Sequence, residues 1–119
     1  MLSVTRHRVP APRAEQFRAD AEAAMDLLRQ RPGFMGGVVG RATDDGELWL
    51  VSTSWVDVGS FRRALSSYEV KIGAVPLLAS AIDEPTAFER LLVADEQGVH
   101  RRGSDRAADA DTSGPPGYP

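Results

Sequence analysis

Residues 31–71 read RPGFMGGVVGRATDDGELWLVSTSWVDVGSFRRALSSYEVK, and the fold is decided inside this stretch. Its first half holds two short segments rich in β-branched and aromatic residues, Phe34 to Thr43 (FMGGVVGRAT) and Leu48 to Trp55 (LWLVSTSW). Between them stands Asp44-Asp45-Gly46-Glu47, whose Asp-Gly pair is a hairpin signal, so the two segments are expected to be adjacent antiparallel strands. From Val58 onward, Phe61, Leu65, Tyr68 and Ile72 recur at helical spacing. Ser60 is the expected N-cap of that helix, and Gly73 and Pro76 interrupt the run before a shorter segment, Leu77 to Ile82.

Outward from this stretch, Pro32-Gly33 ends a segment in which Phe17, Ala21, Ala24, Met25 and Leu28 fall on one face of a helix over residues 13–31. Leu2 to Val9, closed by Pro10 and Pro12, reads as a first strand, and Thr86 to Ala94 (TAFERLLVA) as a last one. The order β-α-β-β-α-β predicts an α+β, ferredoxin-like fold in which both helices cover one face of a four-stranded antiparallel sheet. The other face is expected to carry Val4, Val39, Leu50 and Leu92, and a homodimer closing sheet against sheet would remove these side chains from water. Residues 1–94 are the expected domain. Residues 95–119, polar or small apart from Val99 and Tyr118 and ending in a Pro/Gly cluster, are expected to be a disordered tail.

Composition narrows the function classes. A chain of 119 residues, 42% hydrophobic and 26% charged, is one ordinary globular domain. No apolar run approaches the ~20 residues of a membrane span, and MLSVTRHRVP lacks the apolar core of a secretory signal, so a cytoplasmic protein without membrane contact is expected. With no cysteine and only His7 and His100, disulfides, thiolate nucleophiles, zinc–thiolate sites and all-histidine metal sites are excluded. The formal charge is −3; five acids and three arginines fall in residues 95–119, leaving the domain at −1 without the basic face that nucleic acid requires. Gly33, Gly36, Gly37 and Gly40 lack the order and the following helix of a dinucleotide loop. Ser52, Ser66 and Ser67 sit in no nucleophile motif, and the acid pairs Asp44-Asp45 and Asp83-Glu84 lie in a turn and a connection.

What remains is a small set of polar and aromatic side chains. Trp49 and Trp55 share a face of the third strand with Val51 and Thr53, and each indole fits either a core or a ligand surface. His7, flanked on its face by Thr5 and Val9, has an ordinary pKa of ~6.5 that suits proton transfer, or is a hydrogen-bonded structural histidine. Tyr68 either brings a hydroxyl to the same cavity or packs as core. Arg41 either orients an anion or pairs with an acid across the strands, the pairing being the simpler reading.

The spacing of Gly33-Phe34 at the entry to a strand, the hairpin, Trp55 at a strand end and Phe61 six residues later on a helix resembles the antibiotic biosynthesis monooxygenase domain family, over about residues 2–94. The resemblance implies a dimeric α+β barrel of ferredoxin-like protomers, each with a pocket between helices and sheet. It also implies one of several activities. In the haem-degrading branch Trp55 matches a pocket tryptophan and His7 falls near a pocket asparagine, but the axial-histidine position falls at about Ala74, so haem is disfavoured. In the quinone-forming branch a phenolic, polyketide-type aromatic supplies the electrons to O2, and the protein needs a base, an apolar pocket and hydrogen bonds to the developing oxyanion. On that reading the protein is a cofactor-independent monooxygenase acting on a small aromatic molecule. His7, Trp55 and Tyr68 are then the catalytic candidates, and Trp49, Phe61 and Arg41 line the substrate. The alternative is a non-catalytic, dimeric ligand-binding or structural domain of the same fold.

Overall fold

A computed structural model describes residues 1–103. Four strands, β1 (Leu2–Arg8), β2 (Phe34–Arg41), β3 (Leu48–Trp55) and the short β4 (Ala87–Phe88), form an antiparallel sheet in the order β2-β3-β1-β4. Between β1 and β2 runs α1 (Ala14–Leu28), preceded by a 3-10 turn at Ala11–Arg13; between β3 and β4 run α2 (Val58–Ser66), α3 (Tyr68–Gly73) and α4 (Val75–Ala79). This is the ferredoxin-like arrangement, with the second helix replaced by three short ones.

Alternation along β1 and β3 sends Ser3, Thr5 and His7, and Trp49, Val51, Thr53 and Trp55, into the buried side. Small residues let α1 lie close to it: Ala21 and Ala24 are buried with Leu28, and a Cβ on Gly37 would run into Met25. The core centres on Trp55, which has no exposed surface. Its indole lies among Leu28, Ala64, Val70 and Ala74, edge-on to Phe34 at 5.3 Å and tilted to Phe61 at 5.8 Å, and its Nε1–H donates to Thr53 Oγ1 at 2.8 Å.

Asp57, not Ser60, caps α2: the Asp57 carboxylate accepts the Ser60 backbone N–H at 2.7 Å, and Ser60 is buried one turn in. Gly33 packs on Ser60 with φ +89°, where a side chain would be both strained and in collision. The helix expected to run on to Ile72 breaks at Ser67, whose ψ of 147° is extended. The break re-phases α3, so that Val70 and Ala74 turn inward while Tyr68 and Ile72 turn out, at 76% and 59% exposure.

The open face of the sheet differs from expectation at two of its four named positions. Phe34 pairs with Trp55 but Gly36, not Met35, pairs with Ser54: Met35 is the extra residue of a β-bulge. A one-residue slip moves side chains to the opposite face. Val39 therefore stands opposite buried Val51 on the helix side, and Val38, opposite Ser52 and 60% exposed, takes the open face with Val4 and Leu50. Arg6 lies in that face too, bidentate to Glu84 at 2.7 Å. Leu92 is not in the sheet. The segment Thr86 to Ala94 does not continue as one strand: only Ala87–Phe88 pair with β1, and Leu92–Asp95 (β5) pair instead with Gly98–Arg101 (β6).

That hairpin belongs to a second compact unit beginning at Glu89, the first being Met1–Phe88. The Asp95 carboxylate accepts the backbone N–H groups of Gln97 and Gly98 and so closes the turn. Strand pairing thus reaches Arg101, past the point where the ordered domain was expected to end; positions 104–119 of the expected tail lie outside the described residues. Among the described residues no helix is long and apolar enough to cross a membrane.

Candidate active site

The chain leaves β1 through Val9 and Pro10, and the 3-10 turn at Ala11–Arg13 folds it back as α1. The end of β1 and the start of α1 therefore diverge around a cavity of about 480 Å³, closed on its other side by Gly73, Pro76, Leu77 and Ser80. Val9, Phe17 and Leu77 supply apolar wall, the buried His7 the inner end, and the exposed Arg13 and Asp20 the charged surroundings. Asp20 accepts from Gln16 at 2.8 Å, and the neighbouring Arg8 is paired with Asp45 at 2.6 Å.

His7 is held by two hydroxyls and one ring. Its Nε2 is 2.8 Å from Thr5 Oγ1 and its Nδ1 is 3.2 Å from Ser80 Oγ. The Phe17 ring sits 5.1 Å away, centroid to centroid. Burial pushes the imidazole pKa below its ordinary 6.5, so the ring is neutral at pH 7 and available to accept a proton.

Trp49 is the cross-strand partner of His7, and Arg41 the cross-strand partner of Trp49. The three form one row, with Phe17 edge-on to the indole at 5.3 Å and the Arg41 guanidinium over its ring at 5.2 Å. Arg41 thus stacks on an aromatic face, and among the described residues the expected pairing with an acid does not form. Trp49 is buried behind Phe17 instead of lining the cavity, and its Nε1 finds no acceptor among the described residues.

Three other candidates lie elsewhere. Trp55 is six residues from Trp49, roughly 20 Å along the strand, and is core. Phe61 packs on Trp55, and Tyr68 points to solvent. The shared face of β3 that joined the two indoles in the sequence therefore does not join them in one site. In exchange the structure brings Thr5, Phe17, Arg13 and Ser80 to His7. Thr5 was legible as a same-face neighbour and Phe17 only as a member of a helical stripe, while Arg13 and Ser80 carry no sequence signal. Ala74, near which the resemblance put the axial-ligand position of the haem-degrading branch, is sealed in the Trp55 core.

With this geometry the class is defined, and the chain belongs to the antibiotic biosynthesis monooxygenase family, whose model matches residues 1–73, from β1 through α3. Among solved structures it is similar to SnoaB, a cofactor-independent oxygenase from Streptomyces nogalater. A point mutant of SnoaB is 27% identical, with 76% of this chain and 94% of that chain covered at a TM-score of 0.60; a second SnoaB structure gives 26% identity, 76% and 91% coverage and a TM-score of 0.53. A conserved protein from Methanosarcina mazei Go1 shares the fold at 18% identity, 86% and 91% coverage and a TM-score of 0.61. No curated protein matches the sequence.

Proposed function

We propose that the protein is a cofactor-independent monooxygenase that admits a small phenolic aromatic to the His7 cavity and oxidises it with O2. The observation that carries this reading is a buried, neutral histidine at the inner end of a cavity of mixed polar and apolar lining, large enough for such a molecule. The 27% identity to a cofactor-independent oxygenase supports it.

The chemistry balances with the substrate as sole reductant. His7 takes the phenol proton and leaves the electron pair on the ring as phenolate. The phenolate carbon para to oxygen, which bears hydrogen, transfers two electrons to O2 and bonds one of its atoms. Loss of that carbon's hydrogen with the other oxygen gives quinone and one water, His7 returning its proton to the departing hydroxide. Phe17, Val9 and Leu77 give the phenolate an apolar wall beside His7, and a bound aromatic that displaces water from it strengthens the interaction of the phenolate with the imidazolium.

The open sheet face, with Val4, Val38 and Leu50, supports a homodimer as the working form. A ligand-binding domain without turnover is the reading favoured by the placement of Trp55 and Tyr68 outside the cavity. Oxygen consumption by metal-free protein against a panel of mono- and polycyclic phenols separates the two. Turnover that falls at least 100-fold in His7→Ala is expected of the oxygenase, whereas binding without oxygen uptake across the panel, or turnover indifferent to His7→Ala, overturns the assignment.

A further inference from the structure

Each ring nitrogen of His7 faces a hydroxyl that already has a carbonyl to donate to. Thr5 Oγ1, 2.8 Å from Nε2, is 3.3 Å from the Val51 carbonyl oxygen; Ser80 Oγ, 3.2 Å from Nδ1, is 2.6 Å from the Leu77 carbonyl oxygen. A hydroxyl has one proton. When both hydroxyls spend theirs on the carbonyls, both oxygens present only lone pairs to the ring, and both nitrogens must be N–H. The pattern is therefore complete for the imidazolium, and a neutral ring must give up one link of it.

We propose that Thr5 and Ser80 are positioning residues that fix neutral His7 as its Nε2–H tautomer and complete the hydrogen bonds of the imidazolium once a proton reaches Nδ1. The proposal rests on the assignment of His7 as the base. Thr5 is buried, with 4% of its surface exposed, so a lost partner there has no replacement, and the chain Nε2–H to Thr5 to Val51 stays closed. Ser80 is exposed and borders the cavity, where water or a substrate hydroxyl replaces a lost bond. The lone pair accordingly opens at Nδ1, on the cavity side.

The transfer then runs through Ser80. The substrate O–H bond breaks and its proton bonds Ser80 Oγ, while the proton already on Ser80 passes to Nδ1; the substrate keeps the electron pair as phenolate. Nδ1–H then donates to Ser80, whose hydroxyl returns to Leu77. Among the described residues these two hydroxyls are the only hydrogen-bond partners of the ring. The charged groups around it are Arg8, already paired with Asp45, and Arg13 and Asp20 at the cavity; Gly73, Pro76, Leu77 and Ser80 bring none from the opposite side, and the β3 neighbour is Trp49, with Arg41 beyond it.

Imidazole nitrogen NMR of the full chain tests this without any turnover, His100→Gln providing the assignment of the two histidines. The neutral His7 is expected to show the Nε2–H pattern, and Thr5→Val and Ser80→Ala each to lower its pKa by about one unit, the size of a lost hydrogen bond to the charged form. Thr5→Ser and Ser80→Thr should restore it, which a packing role would not. Ser80 is exposed, so Ser80→Ala gives a folded variant even where Thr5→Val does not. An Nδ1–H tautomer at neutral pH, or a His7 pKa unmoved by Ser80→Ala, overturns the proposal. A cradle with these properties in a protein that consumes no oxygen overturns the oxygenase and leaves the cradle standing.

Discussion

His7 and Trp49 face each other across the β1–β3 ladder, and a single ring, Phe17 from α1, covers both, at 5.1 and 5.3 Å. Phe17 is thus at once cavity wall and a packing partner of both rings. Phe17→Ala is expected to cost about 3 kcal/mol in chemical denaturation, the range for truncating a packed aromatic. It should also let the His7 pKa rise toward 6.5 as burial is relieved, read from the ring proton shifts.

The pH dependence of stability follows from the same ring. Native His7 takes up its proton at lower pH than unfolded His7, so between the two pKa values the unfolded chain holds more protons. Stability is therefore complete above about pH 6.5, falls as the pH drops below it, and levels off once the native ring is protonated. His7→Gln should flatten this window in urea titrations. Asp45, Asp57 and Glu84, whose carboxyls are held low chiefly by hydrogen bonds from Arg8, Ser60 and Arg6, lose their contribution only at about pH 4 and below, so the two effects separate.

Trp55 and Tyr68 should behave as opposites. Trp55→Ala empties the centre of the core and is expected to cost about 3–5 kcal/mol, whereas Tyr68→Ala, at a position 76% exposed, should change stability by less than about 0.5 kcal/mol. Urea unfolding midpoints of the two variants check both. A large loss from Tyr68→Ala would mean that its ring is covered in the assembled protein.

If a second copy covers the open sheet face, Leu50→Asp places a charge between Val4, Val38 and the partner, and light scattering at micromolar concentration should report a monomer where the unmutated chain reports a dimer. A folded monomer from the unmutated chain rejects that use of the face. The parallel expectation for Leu92 lapses, since Leu92 pairs with Arg101 in the hairpin and takes no part in the sheet.

Element order and sheet membership were readable because they rest on period: alternation in β1 and β3, the 3.6-residue stripe of α1, and the Asp-Gly turn between β2 and β3. Three features were not, and each is a local event that periodicity cannot register. The break at Ser67 turned Tyr68 outward, the bulge at Met35 exchanged Val38 for Val39, and the turn at Asp95 drew Leu92 into a hairpin. The candidate site failed in the sequence for a different reason. Same-face reasoning says that Trp49 and Trp55 point the same way but not that they are some 20 Å apart, and nothing in the sequence says that a serine 73 positions from His7 stands against its ring.

The single extra residue at Met35 does more than decide which valine meets water. It divides β2 into two lengths that answer to different neighbours: Phe34, before the bulge, belongs to the packing of Trp55, while Gly37 and Arg41, after it, belong to Met25 and Trp49. Because Phe34 and Gly36 already face consecutive residues of β3, the bulge takes up Met35 as a local bump and keeps the two lengths in phase with Trp55 and Thr53. A Met35-less chain is therefore expected to close the bulge into a regular ladder, with Gly37 still beneath α1 and Val38 still in the open face, whereas loss of one residue after Gly37 would turn the rest of the strand over.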